Sequence, residues 1–498
     1  MEQSYNNAVD VFRDNEYPMM KGTYTIPSKS LIDRFSQKMV LNLYGNPHSA
    51  NDPAHNSGVM VERVREEALR FFRADPAHFD LIFTQNATAA IKVVADGFRD
   101  LSISTHSESF WYGYHKDAHT SLVGIRELCN GTHHCFSRDR EVEDWLDGVG
   151  KVVMDSRVPG LFAYPGQSNF TGRRLPLQWC RNIRHSPCGR LRNVYTLLDA
   201  ASLASTAQID LSDPLSAPDF MAVSFYKIFG FPDLGALIVR KRSGHILSWR
   251  KYFGGGTVDA LTVMSETSLL RKSRTLHEAL EDGTLPFHNI MALGCALETH
   301  QVLYGSMNSI SKHTMFLAKH LFTKMSSLRH FNGRPVCVMY NDNTNTIPYS
   351  DPTNQGAIIA FNILDTDGSL VPYSTVEKLA NGSKIYLRSG GLCNPGGVAT
   401  FLRVEPWQFK RAWSAGFRCS ETDEDLQVIQ GISLGVVRAS LGAMTTMTEV
   451  DLLVDFLKRT FLDNVQRLLP PNKMRIVTPR ACIRSPEKET GFEILHQA

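Results

Sequence analysis

Lys227 stands near the end of Pro218-Asp219-Phe220-Met221-Ala222-Val223-Ser224-Phe225-Tyr226-Lys227-Ile228-Phe229-Gly230, closing an apolar run and flanked by aromatic residues. An ammonium placed there is partly desolvated, which lowers its pKa and yields the neutral amine that attacks carbonyl carbon to form a Schiff base. The bland alternative is a snorkelling surface lysine, so its partners decide. Asp199 follows the apolar run Val194-Tyr195-Thr196-Leu197-Leu198 and precedes the small residues Ala200, Ala201 and Ser202. A carboxylate at the carboxyl end of a strand lies where open α/β sheets place ligands, and it can hold a protonated ring nitrogen; it can also simply cap a helix. Thr84-Gln85-Asn86-Ala87-Thr88-Ala89-Ala90 joins an apolar strand to an amphipathic helix through small residues. Backbone N–H groups at such a helix start, with Ala87 in its first turn and the Thr88 hydroxyl beside it, can cradle a phosphate, although small residues also merely pack tightly. Ser224, three residues before Lys227, can add a second hydroxyl.

Asp199 and Lys227, 28 residues apart on successive strand ends, are the pair that pyridoxal 5'-phosphate (PLP) requires: the lysine forms the imine and the aspartate keeps the pyridinium charged. With both present, the turn at residues 84–90 becomes the natural phosphate cup.

The elements that must position these groups are short apolar runs alternating with stretches of helical period between about residues 58 and 300. Leu81-Ile82-Phe83-Thr84, Leu161-Phe162-Ala163-Tyr164, Val194-Tyr195-Thr196-Leu197-Leu198, Met221-Ala222-Val223-Ser224 and Ala236-Leu237-Ile238-Val239 read as buried strands. Val61, Val64, Ala68 and Phe71 mark one helix face, and Ala87, Ile91, Val94 and Phe98 another. The pattern predicts an α/β fold: a large, doubly wound, mostly parallel sheet over residues 58–305, preceded by an N-terminal segment at 1–57. A smaller α+β domain is expected over 306–470. Polar, turn-forming residues at 340–355 read as a surface insertion. The capping box Thr446-Met447-Thr448-Glu449 starts a last helix that turns Val450, Leu453 and Leu457 inward. Residues 471–498 are read as a tail.

Several further stretches share the order and spacing of a known family. They are Leu43-Tyr44-Gly45-Asn46-Pro47-His48-Ser49, residues 83–90, His119-Thr120-Ser121-Leu122-Val123-Gly124, residues 161–172, residues 224–230 and Tyr252-Phe253-Gly254-Gly255-Gly256-Thr257-Val258. Collinear over roughly residues 20–460, this set resembles the class V aminotransferase-type, fold type I family, and within it the cysteine-desulfurase-like domain of molybdenum cofactor sulfurases. The resemblance implies PLP as cofactor. It assigns His119 to stacking on the cofactor ring and to proton handling, tasks that its aromatic face and near-neutral pKa suit; a lone histidine is otherwise usually structural. It assigns Asn169 to the ring hydroxyl oxygen, where a local cap is the alternative, and Thr257 to a phosphate contact that family dimers donate across the subunit interface. Asn46 and Ser202 are carried over with the substrate and cofactor contacts.

Arg438, in Gly435-Val436-Val437-Arg438-Ala439-Ser440-Leu441-Gly442, ends an apolar run and suits a bidentate grip on an amino acid carboxylate, or a structural ion pair. In Arg388-Ser389-Gly390-Gly391-Leu392-Cys393-Asn394-Pro395-Gly396-Gly397 a cysteine sits five residues after an arginine in what reads as a flexible loop. A cysteine chosen at random is an inert core residue; polar, turn-rich sequence beside a cation favours exposure and thiolate character. In the resembled desulfurases this is the place of the nucleophile that takes sulfur from L-cysteine. The implied reaction has L-cysteine joined to the cofactor in place of Lys227, its carboxylate on Arg438 and its α-proton moved by Lys227 or His119. Cys393 then attacks the substrate sulfur, releasing alanine and leaving an enzyme persulfide. The alternative is a PLP-dependent C–S lyase, decarboxylase or C–C bond-forming enzyme of small-molecule metabolism on the same scaffold; a non-catalytic descendant is the third reading. Tyr226 stands where many bacterial-type desulfurases carry histidine. The sulfurases continue into a C-terminal domain, called MOSC, for which the roughly 30 residues after Pro471 are too few at ordinary domain sizes, so the sulfur acceptor is not implied.

The 498 residues include 43% hydrophobic and 21% charged, as in globular proteins, and 53 basic against 50 acidic side chains make nucleic acid no obvious partner. No apolar run approaches the roughly 18 residues of a membrane span, and the first residues lack a signal peptide's pattern; a cytoplasmic homodimer is expected. Nine scattered cysteines without a CxxC pair argue against a disulfide framework or a zinc site, and no metal is expected.

Overall fold

A computed structural model of the chain describes residues 5–18, 25–105, 109–130, 133–150, 152, 154–155, 157–186, 189–264, 266–341, 348–418, 427–429 and 431–462. Seven strands form the large sheet: β1 (Phe79–Thr84), β2 (Trp111–His115), β3 (His133–Phe136), β4 (Gly160–Pro165), β5 (Val194–Asp199), β6 (Phe220–Ser224) and β7 (Gly235–Arg240). Their order is β1-β7-β6-β5-β4-β2-β3. Pairings from β6 through β5, β4 and β2 to β3 are parallel, whereas β7 is antiparallel to both β6 and β1. The sheet is therefore mostly parallel, and the five apolar runs read as strands all lie in it. The antiparallel course of β7 has a simple cause. Only residues 225–234 separate it from β6, fewer than the dozen or so that a parallel crossover needs.

Both faces of the sheet are covered, so its strands are apolar on both sides. Leu81, Phe83, Leu198, Met221 and Val223 pack in one core with Val61, Val64 and Ala68 of helix Asp52–Phe71. Their neighbours Ile82, Leu197, Phe220 and Ala222 pack in the other with Ile91, Val94 and Phe98 of helix Ala87–Ser104. Two strands escaped the sequence reading. β2 is Trp-Tyr-Gly-Tyr-His and β3 is His-His-Cys-Phe, at the sheet's edge with only Phe136 buried; neither shows an apolar run.

A two-stranded hairpin, β8 (Val258–Leu261) and β9 (Leu269–Arg271), projects from the large sheet's domain. The second sheet contains β10 (Cys337–Tyr340), β11 (Ile358–Ile363) and β12 (Arg388–Gly390). After the small hairpin β13 (Val428–Ile429) and β14 (Ile432–Ser433), it is completed by β15 (Val436–Ser440). The order is β10-β11-β15-β12, antiparallel throughout. Helices Met307–Ser327 and Met447–Phe461 cover it, burying Leu321, Val450, Leu453 and Leu457 against Phe361 and Val437. The capping box forms as read: Glu449 N–H donates to Thr446 Oγ1 and Thr446 N–H to Glu449 Oε2. Glu449 also pairs with Arg13 at 2.6 Å, which ties helix Ala8–Glu16 of the N-terminal segment to the start of this last helix. Of the 340–355 stretch, residues 342–347 lie outside the described residues, as does the tail at 471–498; of the rest, Tyr349 and Gln355 are buried, so that part is packed into the fold at these two residues instead of standing wholly on the surface. No helix among the described residues is long and apolar enough to cross a membrane.

One buried charge network ties the end of β2 to the turn after β4. Arg173 Nη1 pairs with Asp139 at 2.6 Å and Nη2 with Asp117 at 3.0 Å, while His115 Nε2 lies 3.3 Å from Asp139. Burial alone raises the Asp139 pKa, but hydrogen bonds and charge from His115 and Arg173 outweigh it and hold the carboxyl well below the usual carboxylate range. A carboxylate whose folded pKa is depressed adds stability that is present above its unfolded value, about 3.9, and is lost as pH falls toward the folded value. Urea midpoints are therefore expected to drop below pH 4, and to drop less steeply in Asp139→Asn, which starts lower at neutral pH. Equal slopes for both proteins would sink this assignment.

Candidate active site

β4, β5 and β6 end side by side, with Pro165 paired to Asp199 and Asp199 to Ala222. Past these ends the side chains of the two sheets meet around two adjoining cavities. One, of about 290 Å³, is lined by Ala87, Thr88, Asp199, Ser224 and Lys227 among others. The other, of about 340 Å³, reaches the small sheet at Arg438. His119, Asn169, Ser202, Lys227 and Arg388 line both. Thus ten of the thirteen site residues expected from sequence share one composite cleft.

Lys227 lies in the short turn of helix Tyr226–Phe229, directly after β6, closed by Gly230 in the left-handed conformation (φ 79°). Its Nζ makes no hydrogen bond or ion pair among the described residues. Burial lowers its pKa; Arg438 and Arg388 lower it further, against the opposing charges of Asp199 and Cys393. Asp199 is 8% exposed and accepts only the Ala201 N–H, through Oδ1, among the described residues. The N-cap of helix Ala87–Ser104 is Asn86, whose side chain takes the Ala89 N–H. Ala87 N–H donates to Ser224 Oγ at 3.0 Å, and the Thr88 N–H has no described acceptor. Close passage of β7 makes this turn possible: a Cβ on Gly235 would lie 2.5 Å from Asn86 Cα.

His119 caps helix Thr120–Val123, its Nδ1 accepting the Ser121 N–H at 3.1 Å. A backbone N–H can only donate, so Nδ1 is the bare nitrogen and the neutral ring carries its proton on Nε2. Burial lowers the His119 pKa, Asp199 raises it, and Lys227 and Arg388 lower it again. Ser121 Oγ bridges from His119 Nδ1 (3.0 Å) to Thr88 Oγ1 (2.8 Å), linking the imidazole to the helix start. Asn169 Nδ2 donates to Leu392 O at 2.7 Å and its Oδ1 accepts from Asn394. On the small sheet Arg438 of β15 sits in register with Arg388 of β12, and Arg438 Nη1 donates to Asn169 O at 2.8 Å. Two guanidinium groups on one wall suit a carboxylate-bearing ligand.

Three expected residues stand apart. Cys393 is exposed and lines neither cavity, though its neighbour Leu392 does. Its loop, read from glycines as flexible, is here a tight turn with Leu392 (φ 56°) and Cys393 (φ 54°) both left-handed, and Cys393 O accepts the Thr120 N–H at 2.9 Å. Asn46 is exposed, its side chain accepting the His48 N–H, and Thr257 is buried with Oγ1 on Gly254 O. Their loops touch, for a Cβ on Gly256 would lie 3.0 Å from His48 Cε1, but neither residue reaches the cleft within one chain. Sequence reasoning passed over Gln167, which lines both cavities and donates to Ser202 Oγ, and Ser121. Their signal was position alone: both lie in motif stretches, two residues from Asn169 and His119.

The family model for aminotransferase class-V matches residues 22–453. The chain belongs to the aminotransferase class-V family. Among class-V relatives, a molybdenum cofactor sulfurase from Aspergillus niger is 49% identical over 94% of this chain and 56% of its own length. The chain thus spans little more than half the length of the curated relatives it matches. The cysteine desulfurase CsdA from Escherichia coli superposes with a TM-score of 0.65 at 18% identity, covering 92% of this chain and 98% of that one. The cystine C–S lyase C-DES, solved with its product cysteine persulfide, gives 0.62 at 14% identity over 89% and 98%; a variant of it carries glycine covalently linked to PLP. At these identities the likeness establishes the fold.

Proposed function

We propose that the chain is a PLP-dependent sulfurtransferase of the cysteine desulfurase type, which cleaves the C–S bond of L-cysteine to give alanine and a persulfide on Cys393. The observation that carries this reading is the shared cavity of a partly buried amine, Lys227, which makes no hydrogen bond or ion pair among the described residues, and a strand-end carboxylate, Asp199, with the Cys393 turn fastened to its rim through Asn169. The residues present fit PLP: Lys227 for its aldehyde, Asp199 for its ring nitrogen, Asn169 for its ring hydroxyl, and Thr88 N–H with Ser224 Oγ for its phosphate. When bound, PLP supplies an electron sink for the substrate's α-carbon.

The chain's own groups do the rest. Arg438 and Arg388 hold the substrate carboxylate. The lowered pKa of Lys227 leaves more of its amine free to accept the α-proton, while His119, proton on Nε2, donates toward the substrate. Cys393 attacks the substrate sulfur as a thiolate, splitting one hard cleavage into two easier steps. Sulfur ends on Cys393 and the former substrate leaves as alanine. The relatives' name gives the acceptor to test first, the molybdenum cofactor. A reducing compartment such as the cytoplasm fits Cys135, Cys180, Cys295, Cys337 and Cys393, which are free thiols.

We also infer a homodimer, which would carry Asn46 and Thr257 to the partner copy's cleft. Val40 (79% exposed), Leu43 (71%), Tyr252 (65%) and Leu270 (62%) leave that face unusually apolar for a free surface. Sedimentation is expected to give twice the mass of one chain, and Thr257→Ala to weaken PLP retention; a monomer with full activity would exclude this arrangement. The function itself is tested by giving holoenzyme L-cysteine and measuring alanine, sulfide and protein-bound persulfide together. Alanine with persulfide in equal amounts is expected. Pyruvate in place of alanine would mark a C–S lyase instead.

A further inference from the structure

We propose that Asn394 is a positioning residue for Cys393, its side-chain amide holding the thiol-bearing turn against the wall of the cleft. The inference rests on the desulfurase reading, which makes Cys393 the nucleophile. Asn394 is 1% exposed and uses its amide almost completely. Nδ2 donates to Asp117 O at 3.1 Å and to Asn169 Oδ1 at 2.9 Å, while Oδ1 accepts the Gly397 N–H at 2.7 Å. The orientation of the amide follows from its partners, since a carbonyl can only accept and a backbone N–H can only donate.

These bonds bracket the cysteine. Asp117 is two residues from His119, and Asn169 in turn donates to Leu392 O, so both neighbours of Cys393 are tied to the cleft wall. The turn needs such ties. Left-handed backbone at two consecutive residues other than glycine is disfavoured by contact of Cβ with the backbone, and persists only when surrounding contacts over-determine it. Without them residues 392–393 relax toward ordinary dihedrals, which swings the Cys393 Cα–Cβ bond. An ångström of misplacement is enough to cost on the order of 100-fold in a positioned reaction. The same segment also passes close to the main chain before His119: a Cβ on Gly396 would lie 1.9 Å from Lys116 O.

Asn394 is also the N-cap of helix Pro395–Phe401, which offers the bland explanation and the means of testing it. Serine caps helices well but is too short to reach Asp117 and Asn169 together. Asn394→Ser and Asn394→Ala should both retain the cofactor's visible absorbance and a KM for cysteine within about twofold. In both, kcat for alanine and persulfide should fall about tenfold or more, and the rate of Cys393 alkylation by iodoacetamide in substrate-free holoenzyme should change several-fold. Wild-type behaviour of Asn394→Ser beside a damaged Asn394→Ala would reduce the residue to a helix cap and overturn the proposal. So would wild-type kcat in both, or a loss of kcat that only tracks lost cofactor and melting temperature. If wild-type enzyme itself makes no alanine and persulfide, the desulfurase reading fails, and the alkylation rates still decide whether Asn394 holds the turn.

Discussion

Lys227→Ala is expected to abolish turnover of cysteine, by on the order of 10⁴-fold or more, as when a covalent nucleophile is removed from other enzymes. The lysine has two tasks and no substitute. In the proposed function it anchors the cofactor, and its amine is the base placed where the α-proton must go. Its desolvation, reinforced by Arg438 and Arg388 against the charge of Asp199, is what keeps the amine reactive: the folded pKa lies below the ordinary lysine value, so more of it is neutral at any given pH. The cup at Asn86, Ala87, Thr88 and Ser224 is untouched by the substitution, so PLP should still bind, but releasably. Borohydride reduction of wild-type holoenzyme should fix label on the peptide containing Lys227, and the variant should carry none. Label elsewhere, or full activity in the variant, would remove the basis of the proposed function.

Cys393→Ser should show the second large effect, and a different one. Cofactor absorbance and its change on adding cysteine are expected to remain, because neither cavity is lined by Cys393. Protein-bound persulfide should vanish and alanine release should fall by roughly 10³-fold or more, since a hydroxyl is a far poorer nucleophile toward sulfur than a thiolate. The contrast between the two variants separates the halves of the reaction: one loses cofactor attachment, the other loses only sulfur capture. Persistent alanine release from Cys393→Ser at the wild-type rate would mean that sulfur leaves without this thiol.

What was legible beforehand follows the range of the interactions involved. Lys227, Asp199 and Thr88 each sit within a residue or two of a strand end or helix start, and such positions are written in local hydrophobic pattern. Because parallel strands place those ends together, three local readings implied one cleft. β2 and β3 were missed because their burial comes from aromatic neighbours, Trp111 stacked on Trp145 of helix Asp139–Leu146 and Phe136 edge-on to Phe162 of β4, instead of from a run of aliphatic residues. Gln167 and Ser121 were missed for a related reason: hydrogen bonds made by polar residues in turns leave no periodic trace.

The amino-acid order by itself determined the α/β class, the strand-end lysine and aspartate, the helix start at Ala87 and the capping box of the last helix, all set by contacts between near neighbours. Only the tertiary structure decided the antiparallel course of β7, the register that sets Arg388 opposite Arg438 across β12 and β15, and the clamped left-handed turn at Cys393. Those features depend on which distant segments meet. The Cys393 turn is held by Asp117, Thr120 and Asn169, more than 200 residues away along the chain, and no local pattern can encode a partner that far off.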